Sequence, residues 1–183
     1  MSKHNLLADA FPSPGPQTFG DSIVMCITPA AAHRPEPGLA SPVMDIDGIA
    51  AHILATFPGT NPLRAGEDHF FIHDPHRDLP DNRMIPWATL TTSDAHDDAS
   101  DLDRSGVFRL NIGLTRAAAA GLGLSAPVDP TALDVFLPHP VYGGQHWVCV
   151  LNPDRTWPQE RELLVVAHDL AVRKWTRWAE RRG

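Results

Sequence analysis

Seven of the 18 prolines fall among the first 43 residues (Pro12, Pro14, Pro16, Pro29, Pro35, Pro37 and Pro42), and no helical or alternating apolar period survives between them. Proline fixes φ and removes a backbone donor, so neither a helix nor a sheet ladder runs through such spacing. The expectation is a proline-rich, disordered tail over residues 1–43, with residues 23–27 sticking to the domain at most locally, and a single domain over residues 44–183. Met44 opens a clear pattern at once, which raises the alternative that the native start is Met44 rather than Met1. A stretch of this size has room for one core and hardly for two.

From Asp45 onward, Ile46, Ile49, Ala50, Ile53, Leu54 and Phe57 recur at three and four, the period of one helix face. Asp45 suits the N-cap and Pro58-Gly59 the stop. Strands are expected at residues 69–73, 85–92 and 107–112. The last alternates cleanly, with Phe108, Leu110 and Ile112 on one side and Val107, Arg109 and Asn111 on the other. Residues 115–122 read as a short helix, and residues 146–151, apolar on both faces, as a central strand. Thr156 and Gln159 fit a capping box that opens the final helix, with Pro158 in its first turn. Its apolar stripe is Leu164, Ala167, Ala171, Trp175 and Trp178, read as facing the core. Arg173, Lys174, Arg177, Arg181 and Arg182 crowd the end that the helix dipole prefers for cations. This order implies an α+β domain, an antiparallel sheet with two long helices, N- and C-terminal, packed on one face.

Charge narrows the function classes. The chain carries 22 acidic and 15 basic residues, a net charge of −7, which disfavours a general grip on nucleic acid or on an anionic membrane. No apolar run approaches the roughly 20 residues needed to span a bilayer, so no membrane partner is expected. Cys26 and Cys149 make no disulfide framework, and a reduced, cytoplasmic setting is the simplest inference.

The segment His139-Pro140-Val141-Tyr142-Gly143-Gly144-Gln145-His146-Trp147-Val148-Cys149-Val150-Leu151-Asn152-Pro153, with the long helix after it, resembles the closing part of MmcQ/YjbR-like proteins. There a tyrosine precedes a short loop, and a His-Trp pair leads into an apolar strand and a last helix. The chain is more similar still to a family of small proteins catalogued only as a domain of unknown function. That similarity rests on Met44-Asp45-Ile46-Asp47-Gly48, Ser100-Asp101-Leu102-Asp103-Arg104, Gly106-Val107-Phe108-Arg109-Leu110-Asn111-Ile112-Gly113 and Pro138-His139-Pro140-Val141-Tyr142, and it covers most of residues 44–175. The resemblance implies a compact fold of the CyaY/YjbR-like kind and no established activity. MmcQ/YjbR-like proteins are sometimes described as having a double-wing DNA-binding fold. This chain departs from them: residues 44–183 hold 13 basic and 19 acidic residues, and Gln145 stands near the place of the lysine expected in the Tyr-to-Trp loop.

Three constellations carry candidate chemistry. Asp94, His96, Asp97, Asp98, Asp101 and Asp103 crowd one loop, and His73-Asp74-Pro75-His76 makes a second group. Either set offers hard oxygen ligands to a divalent cation, against the plainer reading of aspartates that cap turns; no metal is assigned. Arg109 and Asn111, with Thr89, Thr91 and His73 on neighbouring strands and Trp147 nearby, make a possible anion-binding floor, since arginine's rigid fork suits carboxylate or phosphate. The alternative pairs Arg109 with one of the loop aspartates. His139, held between two prolines, with Tyr142 three residues on, is placed for proton transfer or else rigidifies a crossover loop. Cys149 reads as a small core residue rather than a nucleophile.

The leading expectation is a small-ligand-binding or accessory protein that takes an anion on a polar sheet face. Arg109, Asn111, Thr89, Thr91, His73 and Trp147 would bind it, His139 and Tyr142 would stand at the rim, and no cofactor would be needed. The alternatives are a cofactor-independent enzyme with His139 as general acid/base and, ranked last, a nucleic-acid-binding YjbR-like module. A protein partner is left open.

Overall fold

The computed structural model describes residues 44–124 and 128–182. The tail expected over residues 1–43, and the choice between Met1 and Met44, lie outside the described residues. Asp45 caps the first helix, α1 (Ile46–Thr56), by accepting from the Gly48 amide at 2.7 Å, and the chain leaves the helix at Phe57. Two strands follow as a tight hairpin, β1 (Thr60–Ala65) and β2 (Asp68–His73), turned at Gly66, whose φ of 64° lies in the left-handed region. β3 (Ala88–Thr91), β4 (Arg109–Gly113), the short α2 (Arg116–Gly121), β5 (Leu137–Pro138), β6 (Trp147–Leu151) and α3 (Trp157–Glu180) complete the domain. The strands form one six-stranded sheet in the order β1-β2-β3-β4-β6-β5, every neighbouring pair antiparallel. The expected α+β class is what the chain adopts.

Strand alternation sorts the side chains. Phe71, Ala88, Leu90, Leu110, Ile112 and Val148 point to one face, where Ile49, Ala50 and Ile53 of α1 and Leu163, Leu164 and Ala167 of α3 meet them in one buried cluster. Each large apolar side chain buried there contributes about 1.5–3 kcal/mol. The opposite face carries Thr89, Thr91, Arg109, Asn111, Cys149 and Leu151 in register. It is not open to solvent: Leu102 and Val107, from the segment between β3 and β4, pack with Leu137, Cys149 and Leu151 across it.

The start of α3 departs from the expected capping box. The Thr156 side chain makes no capping bond. Asp134, far upstream and itself at φ 54°, accepts from the amides of Asp154, Arg155 and Thr156 and from the Thr156 hydroxyl. Those bonds hold its carboxyl well below the usual range. α3 is 24 residues long, about 36 Å at 1.5 Å per residue, whereas the strands of four to six residues span only about 13–20 Å. Its buried residues all fall between Glu160 and His168. Beyond Ala171, which still packs against the core, the helix continues past the part that the sheet covers.

Candidate functional site

That continuation shapes a cleft of about 550 Å³, within the range of about 300–1,000 Å³ of small-molecule sites. Trp87, Gly113, Leu114 and Trp147 wall it from the sheet, and Lys174, Trp175, Arg177, Trp178 and Arg181 from α3. His73, Leu79, Arg83 and Ile85 close the side formed by the β2–β3 connection. Four of the chain's five tryptophans thus line one cavity.

Its electrostatics run against the rest of the chain. Arg83, Lys174, Arg177 and Arg181 line the cleft, and among the described residues no carboxylate does, in a chain whose net charge is −7. None of the four takes part in an ion pair among the described residues, although Arg182, next in sequence, reaches Asp78 at 3.6 Å and lies 4.5 Å from the centre of the Trp178 ring. The spacing 174, 177, 181 puts three like charges on one helix face, which costs helix stability unless something neutralises them.

Two local features set the walls. Gly113 pairs with Trp147 across β4 and β6, and a Cβ at Gly113 would lie 3.0 Å from Trp147 Cε2 and Cζ2. Only a bare backbone lets the indole lie down there. His73 sits between His168, at 5.0 Å between ring centres, and Trp175, at 5.9 Å. Burial first, and then the neighbouring His168, hold it neutral to lower pH than a free imidazole, and its Nδ1 is buried without a partner.

The second polar constellation is the covered sheet face. Register sets Thr89 opposite Asn111 and Thr91 opposite Arg109. Asn111 Nδ2 donates to Thr89 Oγ1 at 2.8 Å. Arg109, 1% exposed, donates to both carboxylate oxygens of Asp97, at 3.0 and 2.7 Å, and to Ser100 Oγ at 2.7 Å. Arg109 Nε and Asn111 Oδ1 remain buried and unpartnered. Beyond β5, His139 Nδ1 accepts from the amides of Val141 and Tyr142 at 3.1 and 3.2 Å, which puts its proton on Nε2. Burial, and then the Arg109 charge, lower its pKa to about 4. Tyr142 and Trp147 lie 5.0 and 6.4 Å from its ring, and Tyr142 is half exposed. The Cys149 thiol is pushed up to about 12 by burial, which leaves it inert as a nucleophile.

The anion-binding floor expected from sequence therefore divides. Thr89, Thr91, Arg109 and Asn111 do share a face, but a loop closes over them and Asp97 occupies the arginine's fork. His73 does not join them. Alternation along β2 puts it with Phe71 on the helix-packed face, where it lines the cleft together with Trp147. The acidic loop is folded on itself: Asp94 Oδ1 accepts from the Leu102 amide, Asp103 Oδ1 accepts from the Asp94 amide, and Asp97 holds Arg109. Among the described residues no group of three or more His, Cys, Asp or Glu side chains converges as a metal ion requires, and no helix is long and apolar enough to cross a membrane. Sequence reasoning missed Arg83, Lys174, Arg177, Arg181, Trp87, Trp175 and Trp178 as a set, having explained the helix residues by dipole and core. The available signal was the 174–177–181 spacing around Trp178, with Glu180 the single acid between the three cations.

An open six-stranded antiparallel sheet, one face under two helices and the other under a loop, with a basic, tryptophan-walled cleft beneath the overhanging helix, defines a small α+β domain. The chain belongs to the family of unknown function DUF6194, whose model matches residues 44–181. No curated protein and no solved structure matches it.

Proposed function

We propose that the protein is a small-molecule-binding module and that the cleft beneath α3 takes an anionic ligand. One observation carries this: four cations free of ion pairs among the described residues, and no carboxylate, line a cavity of ligand size in an acidic chain. Dipole matching explains cations on the last turns of α3. It does not explain Arg83, which reaches the same cavity from the β2–β3 connection. In this reading His73 and Trp147 face a ligand in the cleft, not on the polar sheet face where the sequence expectation grouped them with Arg109. Arg109, Asn111, Thr89 and Thr91 brace the sheet, and His139 and Tyr142 fix the corner that presents Trp147.

A second reading keeps a small polar ligand on the covered face, and the unpartnered Arg109 Nε and Asn111 Oδ1, a donor and an acceptor two residues apart, support it. A general acid/base role for His139 is less well supported, because its Nδ1 is taken by two amides. The nucleic-acid alternative, which the sequence suggested through its resemblance to MmcQ/YjbR-like proteins, has little support either, because the chain carries a net charge of −7.

A thermal-shift screen of the full chain against small carboxylates, sulfonates and phosphates tests the proposal. A ligand that binds only the folded state adds about 2.7 kcal/mol at 100 times its Kd. A shift lost in Arg177→Ala and kept in Asn111→Ala is the expected result. The reverse pattern moves the site to the covered face, and no shift with any anion overturns the proposal.

A further inference from the structure

We infer that the anionic group of the cleft's ligand is a phosphoryl group and that the body carrying it is a flat aromatic ring. The inference rests on the anion-binding reading above and adds the ligand's class.

The phosphoryl half follows from the number of cations and where they come from. A carboxylate carries one charge and is satisfied by one guanidinium fork. Here Lys174, Arg177 and Arg181 line the cleft from one helix face and Arg83 from the β2–β3 connection, with no acid lining it among the described residues. Acids are not scarce nearby: Asp78 is at the same end of the molecule and pairs with Arg182 instead. Four like charges with no ion-pair partner among the described residues gather on one cleft, and the group that engages them best together is compact and multiply charged. A phosphomonoester carries a charge of about −1.5 to −2 near neutral pH and presents three acceptor oxygens, enough to engage several cations at once.

The ring half follows from the walls. Trp147 stands on the sheet side, lying over the bare backbone of Gly113, and Trp175 and Trp178 stand on the helix side. Indole faces stack on flat rings in offset or edge-to-face geometry. They also impose little entropy cost, because each indole has only two side-chain torsions to hold. Aliphatic chains gain nothing special from such walls, whereas a planar ring does.

Tryptophan fluorescence of the full chain is the readout, since four of its five tryptophans line the cavity. The probes are phenyl phosphate, benzoate and inorganic phosphate. Phenyl phosphate is expected to bind at least about tenfold more tightly than either of the others, and Arg83→Ala to weaken it about tenfold without moving the melting temperature. Benzoate binding as tightly as phenyl phosphate overturns the phosphoryl assignment and leaves the anion-binding reading standing. Inorganic phosphate binding as tightly overturns the ring assignment in the same way. If none of the three binds in low salt, the anion-binding reading falls and this inference falls with it. Loss of binding in Arg83→Ala together with a lowered melting temperature is resolved by Arg83→Lys, which must restore binding if charge is what matters.

Discussion

Asp97 meets Arg109 with both carboxylate oxygens, at 3.0 and 2.7 Å, with 10% of the aspartate side chain and 2% of the arginine side chain exposed. This pair fastens the β3–β4 loop over the polar face of the sheet. Removing one partner of a buried ion pair strands the other, at about 3–5 kcal/mol. Asp97→Asn is therefore expected to lower unfolding stability by an amount of that order. The double variant Asp97→Asn/Arg109→Met should recover much of the loss, because it leaves no buried charge without a partner. Denaturant titrations of the single and double variants check this, and a double variant less stable than the single one speaks against the pairing. The Arg109 hydrogen bond holds the Asp97 carboxyl below its ordinary value. The stabilisation is thus present above the unfolded-state pKa and is lost as pH falls through the depressed folded value.

His139→Ala removes the acceptor of two backbone amides. Each buried group left unsatisfied costs about 1–3 kcal/mol. Stability should fall measurably, and His139→Asn, which keeps an acceptor, should restore part of it. The folded pKa of about 4 lies below the ordinary 6.5, so the unfolded chain binds the proton more readily. The contribution of His139 to stability therefore declines as pH drops from about 6.5 to about 4, and urea midpoints across that range, wild type against His139→Asn, expose it.

Much of this architecture was legible in the sequence, and the failures have definite causes. α1, β4 and α3 carry strong periodicity, β2 and β6 are short apolar runs, and all five lie where the sequence places them to within a residue or two. β1 was missed because Pro62 and a mostly exposed run hide a strand that needs only one paired side at the sheet edge. β5, Leu137–Pro138, is too short for any period to register. The Thr89–Asn111 and Thr91–Arg109 pairs were readable from alternation, and the alternative that pairs Arg109 with a loop aspartate is the one adopted, with Asp97; the covering of the whole face by that loop was not readable, because it depends on contacts distant in sequence. His73 was assigned to the wrong face because only pairing with β1 and β3 fixes which side of β2 meets the helices.

Glu160 is fully buried in the first turn of α3, and neither carboxyl oxygen meets the hydrogen-bond geometry with a partner among the described residues. Burial pushes its pKa up to about 8, against the favourable dipole of the helix start. The folded protein therefore holds a proton that the unfolded chain releases near pH 4.5. Stability attributable to this group is full below that value and is lost as pH rises toward and through 8. Glu160→Gln is expected to flatten the stability curve between pH 5 and 8 without ending folding. An unchanged slope in that variant would show that Glu160 is already ionised at neutral pH.

Gly113 and Trp147 set the sheet wall of the cleft, which makes Gly113→Ala the most direct geometric test of that wall. The new methyl would meet Trp147 Cε2 and Cζ2 at 3.0 Å and the Trp87 carbonyl oxygen at 3.3 Å. The φ of Gly113 is not in the left-handed region, so the strain is steric rather than conformational. Overpacking of this kind costs about 1–3 kcal/mol, and the indole is the part free to move. Two consequences are expected together: a shift in tryptophan emission and a loss of anion binding, with helix content by circular dichroism unchanged. Trp147→Phe in the Gly113→Ala background removes the larger ring that the methyl strikes and should return most of the stability. If Gly113→Ala leaves anion binding intact while stability falls, Trp147 is a core residue and the ligand is held from the α3 side alone.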